Sequence, residues 1–180
     1  MTERIIMAGF GGQGLMLLGK LLAQVAMQEG KHVTFFPSYG TEVRGGTANC
    51  HVVISDEEIF SPVVEDADTL IIMNQASCER FEDCLKPDGW IIYNSSMVEP
   101  HNSNGHSLGV PATETAAELG STKVGNMVMM GAYNAMKHVV STDGIIEYLR
   151  KSLTGKKAAL IEINEKALAR GREIFERLTS

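Results

Sequence analysis

Short, uninterrupted apolar runs alternate along this chain with longer stretches of helical period. Arg4-Ile5-Ile6-Met7-Ala8 ends in glycines and predicts a buried first strand. From Gly14 to Gln28 the pattern predicts a helix closed by Gly30. Lys20, Gln24 and Gln28 form one polar stripe, and Leu15, Leu17, Leu18, Leu21, Leu22 and Val25 cover most of the rest. His32-Val33-Thr34-Phe35-Phe36 predicts a second strand stopped by Pro37, and a glycine-dense loop runs on to Gly46. Thr47 to Ser55, rich in β-branched residues, predicts a third strand. Thr69-Leu70-Ile71-Ile72-Met73 has the continuous apolar character of a central parallel strand covered on both faces.

The second half turns helical. A helix is predicted around Gln75 to Leu85, with Cys78, Phe81 and Leu85 on one stripe, then a turn at Pro87-Asp88-Gly89, a strand at Trp90 to Tyr93 and a short edge strand near Ser107 to Val110. Helices follow over Ala112 to Leu119, Val124 to Val140, Asp143 to Leu153 and Asn164 to Leu178. Asn164 is the expected N-cap of the last, and Ala167, Leu168, Gly171, Ile174, Phe175 and Leu178 form its apolar face. Alternating strands and helices predict an α/β fold: one doubly wound, Rossmann-like domain over residues 1–180, with a mostly parallel sheet and extra C-terminal helices.

Composition narrows the chemistry. With 16 Lys+Arg against 22 Asp+Glu in 180 residues, the net charge of −6 argues against a nucleic-acid partner, whose phosphates are bound by clustered cations. Apolar runs such as Leu15 to Leu18 and Met127 to Met130 are far below the roughly 20 residues of a membrane span, and no signal peptide is visible, so a cytoplasmic location off the membrane is expected. Cys50, Cys78 and Cys84 form no Cys-x-x-Cys pair and are too few for the four thiolates of a [4Fe–4S] cluster. Five scattered histidines add no zinc-ligand spacing. No metal site is expected, and the cysteines read as core thiols. Met127, Met129, Met130 and Met136 crowd one helix, either as core filling or as a partner surface.

Two loops carry candidate chemistry. Gly9-Phe10-Gly11-Gly12-Gln13-Gly14 follows a strand and opens a helix, the arrangement that lets a backbone approach an anionic ligand at a helix N-terminus. The companion acid expected about 20 residues on, at the end of the second strand, is missing, which disfavours NAD. The alternative is tight strand–helix packing with no ligand. In Tyr39-Gly40-Thr41-Glu42-Val43-Arg44-Gly45-Gly46, Arg44 can pair with a carboxylate or phosphate, or with its own neighbours. Loops after strands one and two share the carboxyl edge of an open α/β sheet. Gly9, Gly11, Gly12, Gln13, Gly14, Tyr39 and Arg44 are therefore the candidate ligand-binding residues. No nucleophile–base pair stands at a recognisable spacing, so no catalytic residue is assigned.

Taken together, the Gly9–Gly14 loop, the Pro37-Ser38-Tyr39-Gly40-x-Glu42-x-Arg44-Gly45-Gly46 loop, the strand ending Ile54-Ser55-Asp56 and Gly125-Asn126 opening a late helix resemble the gamma subunit of 2-oxoacid:ferredoxin oxidoreductases. The stretch from Arg44 to Ser55 is most similar to the 2-oxoglutarate and branched-chain ketoacid members. The resemblance implies a heteromeric enzyme that oxidatively decarboxylates a 2-oxoacid, captures the acyl group on coenzyme A and passes electrons through iron–sulfur clusters to ferredoxin. It further implies that thiamine diphosphate, Mg²⁺ and the clusters belong to partner alpha, beta and often delta chains, and that this chain alone holds no cofactor. Within the family the resemblance implies a 2-oxoglutarate enzyme that yields succinyl-coenzyme A and CO₂, with this chain helping to assemble the complex and contributing to the coenzyme A side. The equivalent subunit of an indolepyruvate or 2-oxoisovalerate enzyme is the alternative within the family. A free-standing nucleotide-binding oxidoreductase and a pure assembly module are the alternatives outside it. The oxoacid and any homodimer of the isolated chain stay open.

Overall fold

The computed structural model describes residues 1–39, 47–101 and 105–180. The strands are β1 (Thr2–Phe10), β2 (His32–Tyr39), β3 (Thr47–Ser55), β4 (Ala67–Ile72), β5 (Leu85–Asn94) and β6 (His106–Val110). The helices are α1 (Leu15–Gln28), α2 (Gln75–Phe81), α3 (Ala112–Glu118), α4 (Gly125–Lys137), α5 (Thr142–Ser152) and α6 (Ile161–Thr179). One sheet of order β2-β3-β1-β4-β5-β6 runs through the molecule. β1, β4, β5 and β6 are mutually parallel, whereas β3 is antiparallel to both β1 and β2, so β2 runs in the same direction as β1. The mostly parallel α/β sheet is therefore borne out, with β3 as the one reversed strand.

The continuous apolar strands follow from cover on both faces. Ile5 and Met7 point into a core shared with α1, α3, α4, α5 and α6, while Ile6 and Ala8 point into a second core with α2 and Val64. The methionine crowding on α4 belongs to the first core: Met127, Met129 and Met130 are buried within the chain itself. That favours core filling for these three over a partner surface.

Several boundaries differ from the sequence expectation. β2 does not stop at Pro37; it continues through it to Tyr39, with Pro37 opposite Cys50. β2 is the sheet edge, where a residue without an N–H breaks no ladder on the open side. The Pro87–Gly89 turn lies inside β5: between the pairs Ala67/Leu85 and Thr69/Trp90 the register advances by two residues on β4 and five on β5, and the surplus bulges out. α2 ends at Phe81, freeing Leu85 to pair in the sheet. α4 ends at Lys137, short of Val140, because His138 adopts the left-handed conformation (φ 50°), its N–H donating to the Asn134 carbonyl at 2.9 Å. Asn164 does not cap α6, which begins at Ile161. Its carboxamide instead donates to the Leu160 carbonyl at 2.7 Å. A side-chain cap does form on α5, where the Ser141 hydroxyl oxygen accepts the Gly144 N–H at 3.0 Å.

Candidate functional site

The ends of β1 and β2 and the start of β3 meet at one edge of the sheet, with Phe10 opposite Thr47 and Tyr39 opposite Ala48. The end of β1, which leads into the Gly9–Gly14 loop, and the last residue of β2 thus lie at the same edge, with β3 between them. Gly40 to Gly46, including Arg44, and the side chain of Tyr39 lie outside the described residues.

The glycines of the first loop divide into two kinds. A Cβ on Gly9 would press into Leu15 at 2.6 Å and Met73 at 2.9 Å, so this glycine serves close packing of strand and helix. Gly14 is left-handed (φ 78°) and stands against the Asn126 carboxamide, which leaves no room for a side chain. Gly11 and Gly12 differ: a Cβ at either would meet nothing within 4 Å. Gly12 is left-handed (φ 99°) and Gly11 is not. Their backbone faces open space at the N-terminal end of α1, where N–H groups without intrahelical partners and the helix dipole favour an anion.

Gln13 is a brace. Its Oε1 accepts the Phe10 N–H at 2.7 Å, and its Nε2 donates to the Met73 carbonyl at 3.3 Å. Both ends of the carboxamide are thereby engaged within the fold, tying the loop to the end of β4. Of the candidate residues described, Gly9, Gln13 and Gly14 build the loop, and Gly11 and Gly12 present it.

Three features of this edge were not assigned from the sequence. The Asn126 Nδ2 donates to the Gly14 carbonyl at 3.2 Å, joining α4 to the loop. On α2, the Arg80 Nη1 donates to the Thr47 hydroxyl at 3.0 Å, placing a guanidinium at the start of β3. A cleft of about 480 Å³ lies beyond the ends of β4 and β5, lined by Gln75, Glu79, Ser96, Glu99 and His101 among others. Gln75 holds its wall by accepting the Glu99 N–H at 2.9 Å and donating to the Glu99 carbonyl at 3.2 Å. None of these pairs is close in sequence, so no local pattern signals them.

The strand order also weighs against dinucleotide binding in the usual mode. That mode places the ribose-binding acid on a parallel strand next to the first. Here the antiparallel β3 separates β1 from β2. Burial pushes the thiol of Cys50 up to about 12 and that of Cys78 up to about 11, with Glu82 adding to the shift at Cys78. Burial also raises Cys84. Among the described residues no three His, Cys, Asp or Glu side chains gather as metal ligands.

The fold and this edge define a Rossmann-like α/β domain with a braced glycine loop at the carboxyl end of its first strand. Residues 4–174 match the model of the pyruvate ferredoxin/flavodoxin oxidoreductase family, and the chain belongs to that family. It is 37% identical over 184 residues to the 2-oxoglutarate synthase subunit KorC of Methanothermobacter marburgensis, covering 97% of each chain. It is also 37% identical over 171 residues to the ketoisovalerate oxidoreductase subunit VorA of Methanothermobacter thermautotrophicus, covering 94% of this chain but 36% of VorA. The chain thus spans about a third of the length of that relative. The crystal structure of the keto/oxoacid ferredoxin oxidoreductase gamma subunit from Geobacter sulfurreducens superposes with a TM-score of 0.84 at 30% identity, over 97% of this chain and 99% of the other.

Proposed function

We propose that this chain is the gamma-type subunit of a 2-oxoacid:ferredoxin oxidoreductase that converts 2-oxoglutarate to succinyl-coenzyme A and CO₂ while reducing ferredoxin. The observation that carries this reading is the end-to-end correspondence with KorC, 97% of each chain. VorA matches at equal identity over 94% of this chain, which makes a 2-oxoisovalerate enzyme the runner-up.

In this reading residues 1–180 act as one gamma-type domain in the cytoplasm, docked on alpha and beta chains. Thiamine diphosphate, Mg²⁺ and an iron–sulfur cluster on those partners supply decarboxylation and electron transfer. This chain contributes the coenzyme A side. Gly11 and Gly12 offer backbone N–H groups to a phosphate at the start of α1, and Gln13 keeps that backbone in place from behind. Arg44, which lies outside the described residues, is the side chain of this reading whose guanidinium fork suits a phosphate.

The test is reconstitution. The chain alone should reduce no viologen or ferredoxin with any 2-oxoacid. With its alpha and beta partners and coenzyme A, 2-oxoglutarate should be turned over in preference to 2-oxoisovalerate, indolepyruvate and pyruvate. Turnover by the chain alone overturns the subunit reading, and preference for a different oxoacid overturns the substrate.

A further inference from the structure

Gly125-Asn126 opens α4 more than a hundred residues after the glycine loop, and the structure brings the two together. Asn126 is only 4% exposed, and its Nδ2 donates to the Gly14 carbonyl across 112 residues of chain. That carbonyl is also the first acceptor of α1, taking the Leu18 N–H at 3.0 Å. One oxygen therefore fixes both the start of α1 and the end of the loop. The orientation of the carboxamide is set by its other end, because Oδ1 accepts the Met127 N–H at 2.9 Å, leaving Nδ2 to face Gly14. Gln13 holds the opposite side of the loop on Phe10 and Met73.

The geometry points to Asn126 as the positioning residue of this loop: by holding the Gly14 carbonyl it sets the direction in which the Gly11 and Gly12 N–H groups present themselves to a phosphate-bearing ligand. The assignment of that ligand rests on the coenzyme A reading above; the hold on the loop does not. Both hydrogen bonds of the Asn126 carboxamide are made within the fold. A carboxylate would place an acceptor against the Gly14 oxygen, and a methyl group would leave that oxygen with α1 alone. Gly125 plays no comparable part, since a Cβ there would make only ordinary contact with Ala112 and Met73, at 3.5 Å and beyond.

Three variants test this: Asn126→Ala, Asn126→Asp and, as neighbour control, Gly125→Ala. In the full chain, hydrogen exchange at the Gln13 and Leu18 amides should accelerate about fivefold in Asn126→Ala and tenfold or more in Asn126→Asp, the scale of one lost hydrogen bond and of one replaced by repulsion. The Leu70 amide in β4, which reports global opening, should not change, nor should any of the three amides in Gly125→Ala. In the reconstituted enzyme the KM for coenzyme A should rise by the same factors while the KM for 2-oxoglutarate stays put. Wild-type exchange at Gln13 and Leu18 in both Asn126 variants overturns the positioning role, as does an equal acceleration at Leu70. Gly11→Val separates the two readings. If it leaves the coenzyme A requirement unchanged, the ligand assignment falls, and the exchange data still decide the role of Asn126.

Discussion

Gly131 on α4 and Gly171 on α6 let two helices touch backbone to backbone. A Cβ on Gly131 would run into the Leu168 carbonyl, and a Cβ on Gly171 would run into the Val128 carbonyl. The two glycines are thus reciprocal: each makes room for the other helix's main chain. Through this crossing α6 closes the core that lies over the face of β1 opposite α2, with Ala167, Leu168 and Ile174 buried beside Met127, Val128 and Ala132.

Gly131→Ala and Gly171→Ala should each destabilise the chain by about 3 kcal/mol or more. The obstructing atoms are backbone, so no rotamer change relieves the clash, which puts these variants at the upper end of overpacking costs. For a domain of this size that corresponds to a fall in Tm of roughly 6–12 °C. Gly11→Ala, in open space, should unfold within about a degree of the parent. Thermal unfolding of the three side by side is the measurement. An unchanged Tm in Gly171→Ala would mean that the helices can separate at no cost.

Two carboxylates should pull the acid limb of stability in opposite directions. Asp56 is held at about 2, against an ordinary value of 3.8, by the Lys31 ammonium at 2.5 Å and the Met1 amine at 2.6 Å. A lowered folded-state value adds stability that is fully present above 3.8 and is lost as the pH falls toward 2. Glu3 is the reverse: its burial outweighs the hydrogen bond from Thr69 and the attraction of Lys137 and raises its value above 4.5. It therefore favours the folded state only while protonated, and that contribution is lost as the pH rises through and above 4.5. Denaturant titrations between pH 2 and 7 should show a flatter acid limb in Asp56→Asn than in the parent. In Glu3→Gln they should show a smaller loss of stability on raising the pH above 4.5. Parallel curves for all three proteins would remove the assignment.

How far the sequence foretold this molecule depends on what each residue reports. β1 and β4 were legible because an unbroken apolar run can only be satisfied by cover on both faces. The reversal of β3 was not, since Thr47 to Ser55 carries the same kind of pattern whichever way it runs. Pro37 reads as a strand terminator unless one knows that β2 is the edge. Asn164 looked like an N-cap because its side-chain type suits one, but Gly155–Leu160 already turns as a 3-10 helix, so the chain enters α6 earlier. At the candidate site the Gly9–Gly14 loop was visible as a motif. The roles within it were not, because Gly9 depends on Met73 and Gly14 on Asn126, partners that only the fold supplies. Gln13, grouped with the ligand-binding candidates, has both ends of its carboxamide engaged internally.

The cysteines should respond to a thiol reagent in a fixed order. Cys50 and Cys78 are buried and Cys84 is partly exposed. At pH 8 a thiol held at about 12 or about 11 is almost wholly protonated, and the thiolate is the reactive form. Cys84 is raised as well, so it too should label more slowly than a free cysteine, but ahead of the other two. Mass spectrometry after timed exposure to iodoacetamide should find a singly modified chain at Cys84 first, and full modification only in denaturant. Early labelling of Cys50 in the folded chain would contradict its place in the core.

Gly11 and Gly12 offer the most direct probe of what approaches the loop. Valine at Gly12 would disturb more than a ligand, because a β-branched residue is strained at φ 99°. Gly11 is free of that complication, being outside the left-handed region and open on its Cβ side. Gly11→Val should therefore leave the unfolding temperature of the isolated chain nearly unchanged and still place a branched side chain in the open space beside the loop backbone, where the proposed ligand would sit. If that ligand is coenzyme A, the assembled enzyme should need about tenfold more of it, equivalent to about 1.4 kcal/mol, at an unchanged requirement for 2-oxoglutarate. If a partner carboxylate occupies the open side of the loop at Gly11 and Gly12 instead, the same variant should elute apart from alpha and beta chains on gel filtration, and the coenzyme A requirement of whatever complex forms should match the parent. Normal assembly with parental coenzyme A kinetics would leave the loop as packing alone, its glycines serving only the contacts of Gly9 with Met73 and Gly14 with Asn126.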